Sequence, residues 1–198
     1  MPDQIWALVV FALVATGSPG GATTLATVSG ARFGYGRSVP LIIGMALALA
    51  GLVAVSGVGL ATTLQTAPVL ELSVKAVGSI YLIWLAARIG LAGPPLPTQS
   101  DEETPIGLVS GIILLMINPK AWAMALGVAS SFSKLASGPL VLGGILALVF
   151  ALSAYLSLTI WALAGGLVAR WLSAEWHWHL FNGTMALLLT ASIVQLWV

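Results

Sequence analysis

A chain of 198 residues, 59% hydrophobic and 7% charged with mean hydropathy +1.06, is composed for lipid, since soluble domains carry about 25% charged residues. Its net charge of +1 offers no basic surface for nucleic acid, and the absence of cysteine excludes disulfides and thiolate metal sites. The 22 glycines and 10 prolines would be odd in water-soluble helices and are ordinary in membrane spans.

The first apolar run starts almost at Met1 and is preceded by Asp3 rather than by a basic stretch. It therefore reads as a retained span, Trp6 to about Ala26, and not as a signal peptide. A loop, SGARFGYGR (29–37), carries Arg32 and Arg37. Ser38 is expected to cap a second helix, with Pro40 in its opening turn, running to about Thr62. Thr66 and Pro68 repeat that start signal for a third span ending near Ile89. GPPLPTQSDEETP (93–105) is a polar loop with Asp101, Glu102 and Glu103. Thr104 and Pro105 open a fourth span ending near Ser131, Pro139 opens a fifth ending near Val168, and a sixth runs from about Trp178 to Trp197. Each segment approaches the roughly 20 apolar residues a span requires.

The expectation is thus an all-α polytopic membrane protein with six transmembrane helices. Residues 1–92 form a first three-helix half, 93–105 an acidic, proline-rich loop, and 106–198 a second three-helix half. Arg32, Arg37, Arg88 and Arg170 follow or end the odd-numbered spans, against Lys75 and Lys134 on the other face. That bias places both termini outside. Trp6, Trp171, Trp176, Trp178 and Trp197 fall near span ends, where indoles anchor the interface. His177 and His179 share one short connector and read as polar neighbours of the headgroups. Spans holding no H-E-x-x-H, phosphate loop or paired carboxylates point away from an enzyme.

Two spans are interrupted. The first contains ATGSPGGATTL (15–25) and the fourth contains LLMINPKAWAM (114–124). Proline removes a donor and clashes with the preceding turn, while Gly17, Gly20 and Gly21 let the chain swing away. Pro19 falls thirteen residues after Trp6, and Pro119 fourteen after Pro105, so both breaks are expected near mid-membrane. Three spans per half would invert the second half relative to the first, giving two inverted repeats with helices one and four broken. Lipid cannot satisfy the freed backbone groups, so the breaks should face protein or a wet cavity.

Lys120 at such a depth costs roughly 2.5–3.5 kcal/mol on insertion scales unless it faces protein or water. Two roles stay open: binding carbonyls freed by Pro119, or holding an anionic group such as a carboxylate. Asn118 adds donors and an acceptor, and Thr23, Thr24 and Thr27 add hydroxyls beyond the other break, unless they bond only their own helix. The candidate substrate-binding set is Ser18, Pro19, Gly20, Gly21, Thr23, Asn118, Pro119 and Lys120. Glu71 and Lys75, four apart, form either a modest ion pair or a gate or coupling element. Gly107 and Gly111 offer a close helix contact, internal or between subunits.

Taken together, these motifs resemble the LysE/RhtB group of small bacterial amino-acid exporters over nearly the whole chain. The family's proline–glycine–proline break corresponds to Ser18, Pro19, Gly20, Gly21, Ala22 and Thr23, with Gly21 where the second proline would stand. GARFGYGRSVPLIIGMALA (30–48) is similar to its basic loop and second helix, and Lys75, Gly78, Tyr81 and Leu82 to its third. Asn118-Pro119-Lys120-Ala121 matches its fourth helix, and Phe181, Asn182 and Gly183 its last. The resemblance implies a multi-pass exporter of the bacterial cytoplasmic membrane, driven by the proton motive force and working as a homodimer. It needs no cofactor and no metal, and its substrates are amino acids or close relatives.

The mechanism expected is alternating access, with the two breaks and Lys120 holding a zwitterionic or anionic solute. The alternatives are a small-solute or ion channel, whose selective rings several subunits would have to supply, and a metal-ion efflux protein, for which the spans lack ligands.

Overall fold

Proline and glycine, more than polar loops, divide this chain into helices. The computed structural model describes residues 2–60, 72, 76, 79, 80, 83, 84, 86–91, 105–172 and 174–194. Six α-helices among the described residues are numbered here in chain order. α1 is Pro2–Gly17 and α2 is Gly21–Val55, followed by a five-residue π-helical turn, Ser56–Leu60. α3 is Leu108–Met116, α4 Pro119–Ser131, α5 Pro139–Ala169 and α6 Glu175–Val194. Residues 86–90 are helical as well. Two of the starts follow directly from the sequence: Pro119 and Pro139 occupy the first turns of α4 and α5, where a missing N–H costs nothing.

The all-α class stands, but six spans in two inverted three-helix repeats do not. Among the described residues, two helices are long and apolar enough to cross a membrane, Gly21–Gly59 and Pro139–Ala169. A third is reached only by counting α3 and α4, bent by 69°, as one broken span. The expected first span fails because its break ends α1 at Gly17. Sixteen helical residues reach about 24 Å, short of a hydrocarbon core of about 30 Å. Its remainder is the start of α2, which continues through the expected loop 29–37. The expected sixth span becomes α6, whose first turns hold Glu175, His177, His179 and Asn182, too polar for that role. The expected third span lies largely outside the described residues, as does the acidic loop apart from Pro105.

What was expected as a nine-residue loop is a bend at Gly34, which has φ 76. Glycine adopts this left-handed region without the Cβ clash other residues meet. Ser29 Oγ and Ser38 Oγ are 2.7 Å apart, whereas nine residues of straight helix would part them by about 13.5 Å. Ser38 is no cap: it is buried and donates to Gly34 O at 2.9 Å.

α5 is the axis on which the fold is assembled. α1 runs parallel to it, with Phe11 against Phe150 (ring centroids 6.4 Å apart) and Gly17 beside Ser157. The later part of α2 runs antiparallel to it, from Tyr35, whose hydroxyl lies 3.1 Å from that of Tyr155, to Gly57 against Gly143. Glycine sets the closest approaches: a Cβ on Gly30 would lie 2.0 Å from Ala162 O, and one on Gly165 2.0 Å from Thr27 O. Small residues let backbones meet where lipid gives no hydrophobic drive for helices to associate. α3 packs on α2 in the same way, Gly111 against Leu41 O and Gly44 against Leu108 O. Gly111 thus makes an internal contact, while Gly107 has open space beside it. Leu8, Leu41, Ile42, Met45, Leu146 and Phe150 are buried at the centre of this assembly.

Of the tryptophans expected at the interface, Trp6, Trp171 and Trp176 are exposed. Trp178 is instead buried and donates its Nε1–H to Leu172 O at 3.1 Å. His177 Nδ1 accepts from Ala174 N, and His179 lies 3.7 Å from Glu175 on an exposed turn.

Candidate functional site

Both interruptions are where the proline–glycine pattern places them, and they meet. α1 stops at Gly17 and α2 restarts at Gly21, while α3 stops at Met116 and α4 restarts at Pro119. At the first break, Thr23 Oγ1 accepts from Gly20 N at 2.8 Å and donates to Gly20 O at 3.0 Å, closing the first turn of α2. At the second, Asn118 Oδ1 accepts from Lys120 N at 3.1 Å and so caps α4.

The Lys120 side chain spans from one break to the other. Its Nζ donates to Ser18 O at 2.9 Å, Ser18 Oγ at 2.7 Å and Pro19 O at 3.2 Å. The carbonyls it satisfies are those at the end of α1, not those freed by Pro119. A cation there also meets the negative end of the α1 dipole. Hydrogen bonds to a charged group contribute about 1.5–3 kcal/mol each, enough for such a set to offset the cost of placing an ammonium in the membrane. Gly20 makes room for it, since a Cβ there would lie 3.2 Å from both Cδ and Nζ of Lys120.

Two indoles close the remaining backbone gaps. Trp161 Nε1 donates to Gly17 O at 3.0 Å, and Trp122 Nε1 donates to Met116 O at 2.7 Å. Neither was singled out in the sequence, though a signal existed: an indole N–H away from the interface must find an acceptor.

Around this junction lies a tight pocket with about 30 Å³ of free cavity, within about 400 Å³ of non-atom space once its open mouth is counted. Ser18, Gly20, Gly21, Thr23, Asn118 and Lys120 line it, so six of the eight expected binding residues share one wall. Pro19 takes part through its carbonyl, and Pro119 is buried in the first turn of α4. The rest of the lining is largely apolar, a wall with Met45, Leu49, Leu115, Met124 and Leu158, none of which the sequence had identified. Thr27 donates to Thr23 O and Thr16 to Ala12 O, both spent on their own helices. Glu71 and Lys75, the expected gating pair, lie outside the described residues.

The wall combines three features that favour an anion. The starts of α2 and α4 bring the positive ends of two helices. α2 also brings the N–H groups of its first turn, whereas those of Lys120 and Ala121 in α4 are already taken by Asn118 Oδ1 and O. Lys120 adds a full positive charge, and helix starts of this kind are natural carboxylate and phosphate sites. Asn118 is 5% exposed, and losing its cap costs about 1 kcal/mol. Asn118→Ala is therefore expected to lower the melting temperature of the detergent-extracted protein, whereas Asn118→Asp, which keeps the acceptor, restores most of it. An unchanged melting temperature in the alanine variant would remove the cap from this account.

A family model described as "LysE type translocator" matches residues 11–197. A protein of Vibrio cholerae serotype O1, described as an uncharacterized membrane protein, is 27% identical over 125 residues. That alignment covers 61% of this chain and 61% of the relative, so the chain spans less than two thirds of that protein's length. No solved structure matches.

Proposed function

Because the chain belongs to the LysE type translocator family, we propose that it exports small amino-acid-like solutes by exposing the Lys120 pocket alternately to the two sides of the membrane. It is a multi-pass transport protein of the bacterial inner membrane and not an enzyme, in keeping with its family and its two long apolar helices. Which solutes it carries, and how, is the proposal.

The observation that carries the reading is the ammonium of Lys120 bridging two helix breaks inside a pocket with one polar and one apolar wall. A carboxylate suits the polar wall by the charge of Lys120 and by the N–H groups at the start of α2. The apolar wall suits an uncharged side chain, which is how small-molecule sites commonly divide orientation from bulk affinity. Ser18, Gly20, Gly21, Thr23, Asn118 and Lys120 are the proposed binding residues, with Pro19 and Pro119 setting the breaks.

The test is counterflow in reconstituted vesicles. Vesicles preloaded with one unlabelled amino acid from a panel are diluted into a trace of the same compound labelled. Transient accumulation of label is expected for the carried solutes, with saturable rates. Flux without saturation or counterflow would replace the carrier with a channel, and no flux for any member of the panel would overturn the amino-acid reading.

A further inference from the structure

The charge best placed to bind a carboxylate is already fully engaged. An ammonium has three hydrogens, and those of Lys120 reach three acceptors: the carbonyl and hydroxyl of Ser18 and the carbonyl of Pro19. Ser18 Oγ spends its own proton on Ala15 O at 2.9 Å, so it offers Lys120 a lone pair. A carboxylate can take hold of Lys120 only if some of these bonds are surrendered.

Surrender has a cost on the other side. The Ser18 and Pro19 carbonyls follow the end of α1. The bond to Pro19 O is exposed to solvent and that to Ser18 O partly buried, so the acceptor whose baring costs about 1–3 kcal/mol is Ser18 O. The apolar part of the lining, with Met45, Leu49, Leu115 and Met124, has no donor to offer. A simple carboxylate therefore gains at Lys120 and loses at α1. A molecule bearing its own ammonium beside its carboxylate does not incur that loss.

Resting on the reading of this pocket as the solute site, we propose that Lys120 and the Ser18–Pro19 carbonyls form a latch that a zwitterion opens by exchange. The carboxylate of the solute takes the Lys120 ammonium, and the ammonium of the solute takes the carbonyls that Lys120 releases. The number of charged hydrogen bonds is conserved while the direct tie between α1 and α4 is replaced by one that runs through the solute. Binding is thereby coupled to separation of the two breaks, and selection for an α-amino acid over a plain acid or amine follows from the exchange. Gly20 has a defined part in it, because its bare backbone leaves the lysine side chain room to cross.

The test uses the full chain in lipid nanodiscs, titrated calorimetrically with two matched sets. One is leucine, 4-methylpentanoate and 3-methylbutan-1-amine; the other is methionine with its des-amino and decarboxylated analogues. Each amino acid is expected to bind at least about tenfold tighter than either of its analogues, the factor that one bared carbonyl implies. Ser18→Ala removes one acceptor without touching the carbonyls and is expected to narrow the gap between leucine and 4-methylpentanoate. Equal affinities for acid and amino acid in the unmodified protein overturn the exchange and leave the solute site standing. No binding by any compound of either set overturns both.

Discussion

Efflux of a preloaded amino acid from vesicles carrying Lys120→Ala is expected to fall roughly tenfold or more per molecule of protein. One hydrogen bond to a charged group is worth about 1.5–3 kcal/mol, and about 1.4 kcal/mol is already a factor of ten. Lys120 makes three. Alanine also leaves the Ser18 and Pro19 carbonyls without their donor, so part of the loss will be structural. The two parts separate in the measurement, because the amount of folded protein in the membrane is quantified alongside flux. Lys120→Arg sharpens the comparison: it keeps the charge, but its planar fork does not reproduce a compact ammonium beside Gly20, where clearance is already small. Undiminished flux in the alanine variant at equal protein level would show that the solute never meets this lysine.

Gly165→Ala is expected, like Gly30→Ala at the same helix crossing, to be strongly destabilising. The added carbon would lie 2.0 Å from Thr27 O, which belongs to the backbone of a buried helix turn and cannot rotate aside. Overpacking commonly costs about 1–3 kcal/mol, and more where the backbone must shift. Here α2 and α5 would have to separate along their main contact. Loss of a monodisperse species on size exclusion, or a clearly lower melting temperature, is the expected result. Gly127→Ala in α4 is the matched control, since nothing lies within 4 Å of that position and alanine is the better helix former. If Gly165→Ala melts like the control, the close crossing of α2 and α5 is wrong.

The parts of this arrangement that the sequence disclosed are those fixed by local chemistry. Pro19 with its glycines, and Asn118-Pro119, break helices through missing donors and steric clash, and both breaks occur there. Pro139 opened a helix that ends at Ala169, one residue beyond expectation. Lys120 was legible as an inward-facing charge because lipid leaves it no alternative. Its partners were not legible: Ser18 lies 102 residues away, and no local pattern specifies which break an ammonium will cross to. The apolar wall was equally hidden, because Met45, Leu115 and Met124 look like every other lipid-facing residue until the helices are packed. Glycine misled in one place, for GARFGYGR reads as a loop by composition, yet one residue, Gly34, makes the bend while its neighbours remain helical. Counting spans by apolar length failed where breaks and polar first turns shortened the helices below what a crossing needs.

The two interruptions are braced differently, and that difference assigns their mechanical parts. The kink between α3 and α4 is held from within: Trp122 bonds Met116 O, Asn118 N bonds Leu115 O, and Asn118 Oδ1 bonds Lys120 N. All of these ties lie within the eight residues 115–122, so α3 and α4 turn together as a stiff elbow. The gap between α1 and α2 has its end carbonyls held from afar, by Trp161 of α5 and by Lys120 of the elbow. Pulling the elbow away therefore strips the Ser18 and Pro19 carbonyls of their clamp, with Trp161 still on Gly17 O and the elbow's own angle unchanged, which makes that short stretch after α1 the compliant wall of the pocket and the elbow its lever.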